Sequence, residues 1–229
     1  MAELYLKQLL LGRDIGRDDL IAAQMQNFVY LVGDRDAGEC VAIDPAWDVQ
    51  GIVDVARTDG MRLVGALATH YHPDHVGGSI FGMSIEGLPR LLELNPCKIH
   101  VHALEADGVR KVTGVSKSDL VEHRSGDRVA VGSVEIELLH TPGHTPGSSC
   151  FRVAKALLAG DTLFLQGCGR VDLPGGDPEE MRLTLTQRLA TLPGDIVLYP
   201  GHAYGGEHAP LDDVRRLNPT LRALRPKST

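Results

Sequence analysis

The segment THYHPDH, residues 69–75, concentrates four side chains that can bind metal ions. His70 and His72 follow an apolar run of strand length, and an extended backbone sends residues two apart to the same side. Both imidazoles can therefore reach one ion. A proline then ends the strand, so Asp74 and His75 lie in a turn, where they can face a second point close by. Imidazole nitrogen combined with carboxylate oxygen suits zinc and similar metals.

Three further segments place ligand-type residues at the C-terminal ends of apolar strands. His144 lies in LLHTPGHTPGS, Asp161 in LLAGDTLF and His202 in VLYPGH, and each is preceded by glycine. Glycine lets the backbone pass close to a site because it has no side chain. Four such segments at strand ends predict that one edge of a sheet gathers the ligands.

Taken in this order, the motifs THYHPDH, TPGHTPGS, GDTLF and YPGH resemble the metallo-β-lactamase superfamily. They span residues 69 to 202, and the flanking pattern fits most of the chain. The resemblance implies an α/β fold, a four-layer αββα sandwich with two divalent metal ions at one edge. Zinc is the first expectation for these ions, and iron or a mixed pair is the alternative.

The resemblance also implies how seven residues share the two ions. His70, His72 and His144 would hold the first ion. Asp74, His75 and His202 would hold the second, and the Asp161 carboxylate would bridge the two. Asp74 would also orient the hydroxide that the ions share. Paired metals lower the pKa of a shared water to about 7 and polarise a carbonyl, so no serine or cysteine nucleophile is needed.

A segment after Asp161 narrows the resemblance to one branch. Its GCGR resembles glyoxalase II and the related persulfide dioxygenases, both of which act on glutathione derivatives. Arg170 of this segment would meet a carboxylate of the substrate. A salt bridge from Arg170 to Asp172 or Asp177 is an equally weighted interpretation. Tyr204, in GHAYGG, would line the same pocket.

Two activities from different classes follow from this branch. The first hypothesis is a glyoxalase II-like thioesterase that hydrolyses S-acylglutathione at a dinuclear site. The alternative is a persulfide dioxygenase, with one Fe(II) held by His70, His144 and Asp161; the short C-terminus and Asp172 after GCGR favour it. Lactonases share the ligands and rank lower. A β-lactamase is disfavoured because Asp161 stands where one major class of those enzymes has a cysteine.

Composition limits the partners and the location. The chain has 229 residues and a net charge of −7, which argues against nucleic acid or an anionic membrane as a partner. No apolar run reaches the length of a membrane span, and the N-terminus does not read as a signal peptide. We therefore expect a cytoplasmic enzyme with a small-molecule substrate and four free cysteines. The oligomeric state stays open.

Strands and helices must alternate to position the ligands, and the hydrophobic periodicity supports this. Strands are predicted at residues 28–34, 39–45, 62–69, 98–102, 127–132, 133–141, 148–154, 156–161 and 195–202. Helices are predicted at residues 48–60, 84–96, 103–114 and 177–194, with Asp48 and Asp177 as caps and Pro89 as an interruption. This alternation in both halves favours one α/β domain over residues 1–229.

Some residues keep more than one interpretation. The additional segment 79–98 is either a lid or pocket wall beside the metal turn, or ordinary packing. His100 and His102 repeat the spacing of the metal turn, but neither an acidic residue nor a cysteine accompanies them. We therefore assign them structural or surface roles. His123 is expected to be exposed.

Overall fold

The computed structural model describes residues 3–80 and 82–225. The strands are β1 (Leu4–Leu10), β2 (Phe28–Asp34), β3 (Glu39–Ile43), β4 (Arg62–Leu67), β5 (Gly78–Ile80), β6 (Met83–Ile85), β7 (Lys98–His102), β8 (Leu120–His123), β9 (Arg128–Val131), β10 (Val134–His140), β11 (Ser149–Val153), β12 (Ala156–Leu158), β13 (Val197–Tyr199) and β14 (Ala209–Pro210). The helices are α1 (Leu20–Met25), α2 (Val49–Thr58), α3 (Pro73–Val76), α4 (Leu88–Leu94), α5 (Ala106–Thr113), α6 (Pro178–Leu183), α7 (Leu211–Leu217) and α8 (Pro219–Ala223).

Two six-stranded sheets carry the fold. The first has the order β1-β2-β3-β4-β7-β8, and the second has the order β14-β13-β12-β11-β10-β9. In the first sheet β3, β4, β7 and β8 run parallel, while β1 and β2 pair antiparallel. Strands β5 and β6 form a separate two-stranded sheet.

The alternation of side chains along β2 shows how the layers are built. Phe28 and Tyr30 pack between the two sheets, against residues of β10 and β11 such as Phe151. Val29 and Leu31 point to the other face, where they pack with helices α2, α4 and α5. Helices α6 and α7 cover the outer face of the second sheet. The expected four-layer αββα arrangement is therefore confirmed.

The predicted helix starts are confirmed at two aspartates. The Asp48 carboxylate accepts a hydrogen bond from the Gly51 N–H, and Asp177 accepts from the N–H groups of Glu179 and Glu180. The prediction that Pro89 interrupts a helix is wrong. Pro89 lies in the first turn of α4, where its missing N–H has no helical partner to lose.

The helix predicted over residues 177–194 is also shorter than expected. Helix α6 ends at Leu183, and a π-helical turn (Thr184–Arg188) and a 3-10 turn (Leu189–Thr191) follow it. The Thr184 hydroxyl donates to the Pro142 carbonyl at 2.7 Å, so a side chain ties this segment to the loop of His144.

The prediction that His123 is exposed is wrong. Only 12% of its side chain is accessible, because Nε2 lies 2.8 Å from His100 Nδ1 across the β7–β8 pair. The four cysteines are free, as predicted. Within residues 3–80 and 82–225 no helix is long and apolar enough to cross a membrane.

Candidate metal centre

The predicted ligands all lie just beyond the C-terminal ends of strands. His70 follows β4, His144 follows β10, Asp161 follows β12 and His202 follows β13. The short helix α3, directly after the first histidines, carries the remaining acid and histidine of the metal turn. Because these strand ends meet at one edge of the sandwich, the structure brings all seven residues together.

The first cluster consists of His70, His72 and His144, whose ligand nitrogens lie within 4.8 Å of one another. His72 Nδ1 is 2.9 Å from His144 Nε2. His70 Nε2 is buried and has no hydrogen-bond partner. A buried imidazole nitrogen without a partner is costly unless a ligand completes it.

A chain of hydrogen bonds determines where the proton of His70 lies. The Thr69 hydroxyl donates to Asp44 Oδ2 at 2.6 Å, so its oxygen is left to accept from His70 Nδ1 at 3.0 Å. On the other loop, His144 Nδ1 donates to the Arg170 carbonyl at 2.7 Å. Both rings therefore carry their proton on Nδ1, and their Nε2 lone pairs face the cluster.

The second cluster consists of Asp74, His75 and His202, again with ligand atoms within 4.8 Å of one another. His75 Nδ1 donates to Asp44 Oδ2 at 3.0 Å, and His202 Nδ1 donates to the Met25 carbonyl at 2.7 Å. The two Nε2 atoms, 3.3 Å apart, are thus left as lone pairs in the neutral rings. Asp74 Oδ2 lies 3.4 Å from each of them.

Asp161 lies between the two clusters. Its Oδ2 is 3.6 Å from His144 Nε2 in the first cluster and 3.4 Å from His202 Nε2 in the second. Its Oδ1 lies 3.4 Å from His75 Nε2 and has no hydrogen-bond donor. A Cβ on Gly201 would come within 2.5 Å of this oxygen, so a glycine is required before His202.

The two clusters differ in their electrostatics. Burial lowers the pKa of His72 to about 4, and burial and the neighbouring histidines hold the pKa of His70 well below its usual value. Burial also acts against a charged His202, but the Asp161 and Asp74 carboxylates outweigh it and raise the pKa of this imidazole to about 9. Burial therefore favours neutral rings at His70 and His72, whereas in the absence of an ion the carboxylates favour a charged His202.

The donor set fits divalent metal ions. The atoms that face the centre are imidazole lone pairs and carboxylate oxygens, and His70 Nε2 and Asp161 Oδ1 are buried without a hydrogen bond. Acceptors that converge in this way need a cation, and without a metal ion the extra proton on His202 partly takes its place. Nitrogen with oxygen ligands suits zinc and iron better than magnesium or calcium.

The two predicted substrate-binding residues differ in their contacts with the candidate metal centre. The Tyr204 ring stacks on the ring of His202, with centroids 4.8 Å apart, and is 41% exposed. The Arg170 side chain is 68% exposed and forms a bidentate pair with Asp172, with both N–O distances at 2.9 Å. The Arg170 carbonyl, in contrast, serves the first cluster through His144.

Two residues behind the ligands were missed by the sequence interpretation. Asp44, buried and with φ of 53°, holds His75 directly and His70 through Thr69. Asn27 Nδ2 donates to Asp74 Oδ2 at 3.1 Å. Asp44 had a usable signal, since it follows the apolar strand of ECVAIDP just as Asp161 follows LLAG. Asn27 had none.

Comparison with known proteins confirms the resemblance. The chain is 35% identical over 198 residues to persulfide dioxygenase ETHE1 of Homo sapiens, covering 85% of this chain and 71% of that protein. It is 37% identical over 183 residues to a hydroxyacylglutathione hydrolase of Polaromonas sp., covering 78% of this chain but 63% of that protein. The structure of ETHE1 from Myxococcus xanthus superposes with a TM-score of 0.76 at 27% identity, over 96% of this chain and 85% of that one. Residues 23–202 match the model of the metallo-beta-lactamase superfamily, and the chain belongs to this family of metal-dependent enzymes.

Proposed function

We propose that the chain is a hydrolase with two metal ions, and that it cleaves the thioester of an S-acylglutathione. The observation that carries this proposal is the pair of complete three-residue clusters, joined by Asp161. The first ion is assigned to the cluster of His70 and the second to the cluster of His202. Zinc is the proposed metal at both positions, with iron or a mixed pair as the alternative.

The roles of the protein groups follow from their geometry. Two divalent ions held here would supply a water of lowered pKa and would polarise the thioester carbonyl. Asn27 and Trp47 hold Asp74 from behind, through hydrogen bonds to its side-chain oxygen and its backbone carbonyl. Two side chains thus fix the position of Asp74, and we assign it the orientation of the attacking water. Asp44 and the Met25 carbonyl accept the Nδ1 protons of His75 and His202, so that the Nε2 atoms of the second cluster face the ions.

The substrate class rests on two kinds of support. One relative is named a hydroxyacylglutathione hydrolase, and the alignment with it covers 78% of this chain. Tyr204 offers an exposed aromatic ring directly beside the ligand His202, where it would contact the acyl part of a substrate. Arg170 would meet a glutathione carboxylate, in exchange for its exposed pair with Asp172.

A persulfide dioxygenase is the second candidate. A specific observation favours it: 71% of the length of the human enzyme aligns with this chain, against 63% for the hydroxyacylglutathione hydrolase. His70, His144 and Asp161 form the two-histidine, one-carboxylate set that mononuclear Fe(II) oxygenases use. The second cluster would then be a vestige, although its ligands are complete.

The two candidates are separated by one pair of assays on the same protein, loaded with zinc or with iron. We expect release of glutathione from S-D-lactoylglutathione, without consumption of oxygen. Rapid oxygen uptake with glutathione persulfide, dependent on one iron per chain, would replace the first proposal with the second. If the protein turned over only a lactone or a β-lactam, the proposed metal centre would stand, but glutathione derivatives would be rejected as its substrates.

A further inference from the structure

Glu105 is a buried carboxylate that lies outside the two ligand clusters. It directly precedes α5, and none of its surface is accessible. It accepts three hydrogen bonds: from Tyr71 N at 2.8 Å on Oε2, and from Thr145 Oγ1 at 2.8 Å and Gly147 N at 2.6 Å on Oε1. Burial raises the pKa of Glu105 to about 7, and these three hydrogen bonds oppose the shift.

The three donors belong to the two loops that carry the first cluster. Tyr71 stands between His70 and His72 in the sequence, so a hydrogen bond to its N–H restrains the backbone that carries both rings. Thr145 directly follows His144. One carboxylate oxygen therefore holds the loop of the first two histidines, and the other holds the loop of the third.

The chain is shaped for this close approach. A Cβ on Gly147 would come within 2.7 Å of Glu105 Cγ, so only glycine allows the hydrogen bond from its N–H. A Cβ on Gly108, inside α5, would lie 2.7 Å from Tyr71 Cγ. Gly108 thus lets the ring of Tyr71 rest on the helix that Glu105 precedes, and it accounts for a glycine within a helix, where it costs stability.

We propose that Glu105 is a positioning residue for the first cluster, which sets the distance between the His70–His72 loop and the His144 loop. The second cluster is held differently, by Asp44, Asn27 and the Met25 carbonyl. Because Glu105 contacts only residues next to the first-cluster histidines, we expect it to act on the first ion and not on the second. This inference rests on the proposed metal centre, but not on which reaction the centre performs.

The test is the variant Glu105→Gln. The amide keeps the size of the side chain but presents an N–H where the carboxylate accepts one, so one of the two loops loses its hydrogen bond. We expect the affinity of the apo-protein for the first ion to fall by about 10–100-fold, which is the usual effect of losing a residue that orients a ligand. The affinity for the second ion should stay unchanged. The readout is a titration with Co(II), followed by its absorption spectrum, and with Zn(II).

Asp34→Asn is the matched control. Asp34 is also buried and also accepts three hydrogen bonds, from the N–H groups of Asp36, Ala37 and Ser133, but its partners carry no ligand of the centre. We expect this variant to lower Tm and to leave both metal affinities unchanged. A loss in Glu105→Gln confined to Tm, as in the control, would overturn the proposal.

Glu105→Asp provides a second variant, because it keeps the charge and shortens the reach by one methylene. It should give the same selective loss for one ion. An equal loss for both ions, or unfolding of both Glu105 variants, would make Glu105 a residue of general stability and would also overturn the proposal. If the wild-type protein binds no ion at all, the proposed metal centre fails instead, and the titration distinguishes the two results.

Discussion

The two halves of the candidate metal centre, one with the cluster of His70 and the other with that of His202, have the same number of candidate ligands but differ in their electrostatics. In the first half burial lowers the pKa values of His70 and His72, while in the second half the Asp161 and Asp74 carboxylates outweigh burial and raise the pKa of His202 to about 9. Asp44 orients one histidine in each half. The difference teaches that equivalent ligand sets need not bind ions equivalently. The first half is prepared for a metal at neutral pH, whereas the second must first release protons.

The largest effect is expected from removing a ligand. His72→Ala should lower the affinity for the first ion by more than about 100-fold, because the loss of a ligand exceeds the 10–100-fold effect of losing its supporting residue. Thioesterase activity should nearly vanish. The measurement is metal content by elemental analysis, together with the rate of thiol release.

His100→Ala is the matched control for this variant. His100 has the same i, i+2 relation to His102 and a similarly lowered pKa of about 4, but its partner is His123. Metal content and activity should stay at the wild-type level. Equal losses in the two variants would mean that the wrong histidine pair was assigned.

A smaller effect, on both halves at once, is expected from Asp44→Asn. The amide has one oxygen and one NH2 group, so it must face a donor with its NH2: either the Thr69 N–H, or the Thr69 hydroxyl and His75 Nδ1. Either orientation weakens the contacts that hold His70 and His75. Both ions should bind about 10–100-fold more weakly. Paired with Glu105→Gln, this variant sharpens the comparison: a loss for a single ion in Asp44→Asn would show that the halves are not linked through this residue.

The pH dependence of binding should separate the halves. The raised pKa of His202 means that in the apo-protein below about pH 9 its ring carries a second proton, on Nε2, which the ion must displace. Affinity for the second ion should therefore fall about tenfold per pH unit for each proton displaced, as the pH is lowered from 9 to 6. Affinity for the first ion should change less, because the pKa of His72 is about 4. Parallel slopes in Zn(II) titrations at several pH values would contradict the contrast.

The smallest effect is expected at the rim of the site. Arg170→Ala should raise KM several-fold and change kcat little, since an interaction present equally in substrate and transition state affects binding alone. Its carbonyl, which holds His144, is unaffected by the substitution. Lys155→Ala is the control, because Lys155 also forms an exposed ion pair, with Asp195, at a different surface. A fall in kcat with unchanged KM would place Arg170 in the chemistry instead.

The sequence predicted the parts of the fold that depend on local pattern. The residues of the two clusters were recognised as candidate ligands because each lies at the end of an apolar strand or in the turn after it, and the structure brings them together. The helix starts at Asp48 and Asp177 were predicted from their capping side chains. Strand β1 was missed, since LYLKQLL is too mixed in polarity to separate a strand from a helix. The hairpin of β5 and β6 was missed because three-residue strands leave no periodicity.

The supporting residues of the centre could not be predicted in the same way. Asn27 and Glu105 act on residues 47 and 34 to 42 positions away, and their neighbours in the sequence carry no motif. Their roles arise only when the strand ends meet. The identity of ligands is thus encoded locally, whereas their orientation depends on tertiary contacts.

The number of ions bound per chain tests the central claim most directly. The account predicts two equivalents of zinc, iron or a mixture in protein purified without added metal, and a single equivalent in both His72→Ala and His202→Ala. The remaining ion should show the weak pH dependence of the first half in His202→Ala, and the strong one of the second half in His72→Ala. One equivalent in the wild-type protein, lost in His72→Ala and unaffected by His202→Ala, would contradict the two-ion centre.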